Sequence, residues 1–149
     1  MIELLELTLA KHVAGYLADE ESVAAAVPEI PVVVMDAGGE KAVPCLVVGG
    51  EVREATSGRK VVVVTVALHS RIGTAVGQTT RVVAAGWMQR VEDRLRDDEA
   101  WLEWLAARPV GERTGFRVLH RSMVAAEPVD RTQEGDVVLR VAMGFVCLI

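Results

Sequence analysis

The run Lys60 to His69 (KVVVVTVALH) limits this chain more than any other feature. Six of its ten residues are valine or leucine, and β-branched side chains lose least on a pleated surface. Alternate positions point to opposite faces of a strand, so Val61, Val63, Thr65 and Ala67 oppose Val62, Val64, Val66 and Leu68. Both faces are therefore apolar. A strand with one wet face would alternate, so this one is expected at the centre of a sheet, with helices on one side and another layer or subunit on the other.

The rest of the chain supplies partners for such a strand. Ile2, Leu5, Leu9, Val13 and Tyr16 step by threes and fours and predict an amphipathic helix over residues 2 to about 20. Pro28 and Pro31 forbid a long helix through the Ala-rich stretch that follows. Pro31 to Met35 reads as an edge strand ending at Asp36-Ala37-Gly38-Gly39, and Val43 to Val48 as a second strand closed by Gly49-Gly50. Glu51 to Thr56 alternates weakly before a Ser57-Gly58 turn.

Thr79 to Arg96 predicts a second helix, with Ala84, Met88, Val91 and Leu95 as its apolar stripe and Gln89/Asp93, Arg90/Arg94 and Glu92/Arg96 on the wet side. A further short helix from about Asp98 to Arg108 is stopped by Pro109 and Gly111. Phe116 to Ala126 and Asp136 to Leu148 read as two closing strands joined by Glu127 to Gly135. The last of them carries apolar residues at period two from Val137 to Ile149. The expected fold is thus a single α+β domain over residues 1–149: a mostly antiparallel sheet of two long hairpins with helices packed on one face.

Charge and composition narrow the function. A net charge of -5 without a Lys/Arg run opposes binding to phosphate backbones, so no direct nucleic-acid partner is expected. Glu3 and Glu6 stand where a secretory leader would be positive, and no apolar run approaches the roughly 20 residues of a membrane span. A soluble protein made in the cytosol is the expectation, with no membrane partner.

No catalytic, cofactor-binding or metal-ligating residues are predicted. His12, His69 and His120 have no second ligand at metal spacing, and Cys45 and Cys147 sit in apolar runs without CxxC spacing. Ser57, Ser70 and Ser122 lack the G-x-S-x-G elbow. Neither glycine pair is followed by a helix able to hold a phosphate, so turn glycines are expected. The carboxylates from Glu92 to Glu99 alternate with arginines, as on a solvated helix face. Trp101 and Trp104, three apart, either anchor a partner or cap the sheet as core.

The leading helix, Pro44-Cys45-Leu46-Val47-Val48 with an acidic segment after it, the valine strand ending in His69-Ser70-Arg71, the helix from Thr79-Thr80 and the closing hairpin together resemble the tail-completion proteins of long-tailed bacteriophages. These are tail terminators of the minor tail protein U type and related neck proteins, and the resemblance spans residues 2 to 149 in element order. It implies a subunit forming a ring, commonly a hexamer, at the end of the tail tube. Its partners would be itself, the tail-tube protein and head-tail connector proteins, and its location the virion tail, assembled in the bacterial cytoplasm. No catalytic residue comes with it. Arg71, Arg131 and Glu134 in the polar loops are the expected interface residues, with Trp101 and Trp104 as further candidates. Two other readings stand beside it: a small α+β enzyme or ligand-binding domain with a pocket between helices and sheet, and an adaptor that dimerises through Trp101 and Trp104.

Overall fold

A computed structural model describes residues 5–18, 27–28, 30–34, 44–71, 73–97, 99–101, 103, 117–129 and 136–148. Over 117–129 and 136–148 it gives the course of the backbone, with burial at Gly144 and Val146 alone. The elements are α1 (Leu5–Ala18), β1 (Val32–Val34), β2 (Cys45–Thr56), β3 (Arg59–Arg71), α2 (Arg81–Arg96), β4 (Arg117–Val129) and β5 (Asp136–Leu148). The class is α+β.

Among the described residues the strands form one sheet in the order β1-β2-β3-β5-β4, which puts the valine strand β3 at its centre. β3 pairs antiparallel with β2 on one side and β5 on the other, from Arg59↔Leu148 to Arg71↔Asp136 without a register shift. β2 and β3 make a hairpin through Ser57-Gly58, where Gly58 takes a φ of 77° that a side chain would strain. β4 pairs antiparallel with β5 and β1 pairs parallel with β2, so the sheet is mixed. Of the expected pair of hairpins, β2–β3 is described in full, whereas the connection between β4 and β5 lies outside the described residues.

One core joins both helices to one face of this sheet. Leu9, Val13, Tyr16 and Leu17 from α1 and Ala84, Met88, Val91 and Leu95 from α2 pack with Leu46, Val48, Val62, Val64, Val66 and Leu68. The stripe positions of both helices are therefore buried, and each such Val or Leu contributes about 1.5–3 kcal/mol by leaving water. α1 lies over β1, β2 and β3, and α2 over β3 and β5. The Tyr16 ring meets Trp101 edge-on, with centroids 5.2 Å apart and an interplanar angle of 86°, and Arg94 lies over the same ring at 5.5 Å.

Several boundaries differ from the sequence reading. β2 does not stop at Gly49-Gly50, because Gly49 pairs with Thr65 and Gly50 with Val64, and the strand runs on to Thr56 past a bulge between Val52 and Glu54. Gly50 is needed for closeness: a Cβ there would collide with the Glu6 carbonyl oxygen and lie 2.9 Å from its carbon. β3 reaches Arg71 and β4 reaches Val129, both beyond the expected ends. Pro128 is tolerated in β4 because that strand is at the edge of the sheet. Helical residues 99–101 and 103 fit the expected third helix, whose remainder is outside the described residues, as is the 36–42 turn.

Candidate interaction surface

The connection from β3 to α2 is tied at almost every step. The Thr79 amide donates to the Arg71 carbonyl at 2.7 Å and the Gly73 amide to the Thr79 carbonyl at 3.0 Å, which closes the loop at its base. Beneath that closure the Ser70 hydroxyl donates to Thr79 Oγ1 at 2.8 Å, and both residues are buried. Nearer the tip the Gln78 amide donates to the Ala75 carbonyl, and the Ala75 amide returns a bond to Gln78 Oε1 at 3.1 Å. Gly77 supplies the positive φ of 83° that this tight turn requires.

These bonds shape the tip, where Val76 stands out among the exposed Thr74, Ala75 and Gln78. Val76 at the tip is fully exposed. Thr80 then caps α2, its hydroxyl accepting from the Val83 amide at 3.3 Å. Val82 and Val83 follow in the first turn with relative exposures of 83% and 44%, because the buried stripe through Ala84 and Met88 turns them outward. Among the described residues, Val76, Val82 and Val83 are the exposed large hydrophobics. Arg81, which precedes Val82 in the first turn, and Arg71, at the end of β3, are also exposed.

The outer face of α2 changes character along its length. Ala85 and Gly86 are small and exposed, and a Cβ added at Gly86 would meet nothing within 4 Å. Past Gln89, which donates to Asp93 at 3.0 Å, the exposed charges of α2 are Arg90, Asp93 and Arg96, and the exposed acids Asp97, Glu99 and Glu103 come after the helix. Arg96 is engaged with Glu92 one turn back. The second half of α2 is therefore of mixed charge, while its first turn carries Arg81 and two exposed valines.

The sheet has a second face. Register places Val61 opposite Val146 and Val63 opposite Gly144, and all four are half-buried. Cys45, Val47 and Ala67 on the same face are buried, Cys45 as a thiol. Among the described residues both helices belong to the opposite face. No three His, Cys, Asp or Glu side chains gather to hold a metal ion among the described residues, and no described helix is long and apolar enough to cross a membrane.

The expected interface residues divide. Arg71 is exposed at the end of β3, opposite Asp136. Arg131, Glu134 and Trp104 lie outside the described residues; Val129 and Asp136, which flank the first two, end at the same end of the sheet as Arg71. Of its two readings, Trp101 takes the core one. With 4% of its surface exposed and its ring against Tyr16, it is core and has no face left to anchor a partner. The reading of the tryptophan pair as a dimer contact loses that residue.

Val76, Arg81, Val82 and Val83 were not singled out by the sequence reading, although a signal was present. Glu54 and Glu92 bracket a stretch, residues 55–91, that holds five basic residues and no acid. Two valines open a helix there, off its apolar stripe. No family model matches the chain, and none of the curated proteins matches it in sequence.

Proposed function

We propose that this chain is a structural subunit of a bacteriophage or prophage virion, a tail terminator, tail-completion or head-tail joining protein. In this reading it forms a ring at the end of the tail tube, assembled in the host cytoplasm, and meets tube protein on one side and connector protein on the other. It works by binding and carries no catalytic step.

The observation that carries the reading is the second face of the sheet. Val61, Val63 and Val146 stay half-buried on the side away from both helices, at the centre of a sheet whose other face is sealed. Apolar surface of this kind on a central strand is what a neighbouring subunit covers in an assembly. The element order that resembles tail-completion proteins adds to it.

Native mass measurement and light scattering, with and without tail-tube protein, test the proposal. A mass that is a ring multiple of the chain, and capping of tube ends, are expected. A chain that stays monomeric at all concentrations and ignores tubes overturns it.

A further inference from the structure

We draw no further inference here: the strongest candidate, the surface patch of Val76, Val82 and Val83 exposed on the β3–α2 loop and the first turn of α2, carries none because nothing in the structure shows what covers it.

Discussion

The Tyr16 hydroxyl donates to the Arg94 backbone carbonyl at 3.0 Å across 78 residues of sequence. That carbonyl is among the last four of α2, which have no partner within their own helix. α1 thus satisfies an orphan acceptor of α2 while its ring fills the core between them. Tyr16→Phe removes the hydroxyl alone and should cost about 0.5–1.5 kcal/mol, because a part-buried acceptor loses this donor. Tyr16→Ala adds a cavity and should cost about 3–5 kcal/mol. Urea denaturation checks both: the midpoint should fall in that order, with the slope unchanged for Tyr16→Phe.

Two glycines should respond in opposite directions to the same change. Gly50→Ala drives a methyl group into the Glu6 backbone and should destabilise by about 1–3 kcal/mol, or shift α1 on the sheet. Gly86→Ala meets open space on a helix and should stabilise by about 0.8–1.0 kcal/mol. Thermal melts of the two variants side by side decide it, and equal effects would show that α1 does not press on Gly50.

Ser70 and Thr79 form a buried hydroxyl pair, so removing one partner strands the other. Ser70→Ala or Thr79→Val alone should each cost about 1–3 kcal/mol, and the double variant should cost less than the sum. A double-mutant cycle by chemical denaturation measures the coupling. Additive losses would mean that the hydroxyls act independently.

Trp101 belongs to the core, and its removal should show there. Trp101→Ala should cost about 3–5 kcal/mol, whereas Glu103→Ala two residues on, exposed, should change stability by less than about 0.5 kcal/mol. Denaturation midpoints compare the two. A Trp101→Ala variant as stable as wild type would return that ring to the surface.

The parts of this fold that the sequence displays are those set by local period. Ala84, Met88, Val91 and Leu95 repeat at helical spacing and are buried as a stripe, and the alternation in β3 gives both its place at the centre and its two faces. Long-range partners leave no local trace. Gly49-Gly50 carries the composition of a turn, and only the nearness of the Glu6 backbone explains why a glycine is needed in the middle of a strand. Parallel pairing of Val32–Val34 with Leu46–Val48 joins segments that no hairpin connects. Trp101 could not be assigned to core or surface by residue type, since Tyr16, which decides it, lies at the other end of the chain. Val82 and Val83 face away from the buried stripe of α2, and the period that marks Ala84 and Met88 says nothing of what they display.

β3 also sets a distance. Thirteen residues of extended chain span about 40 Å, with the Ser57-Gly58 turn at one extremity and the Val76 loop at the other. Most residues between Glu51 and Arg59 are exposed, so the first extremity stands clear of the hydrophobic interior while the second is laced to α2. The strand behaves as a strut that keeps the Ser57-Gly58 turn and the Val76 loop a fixed interval apart.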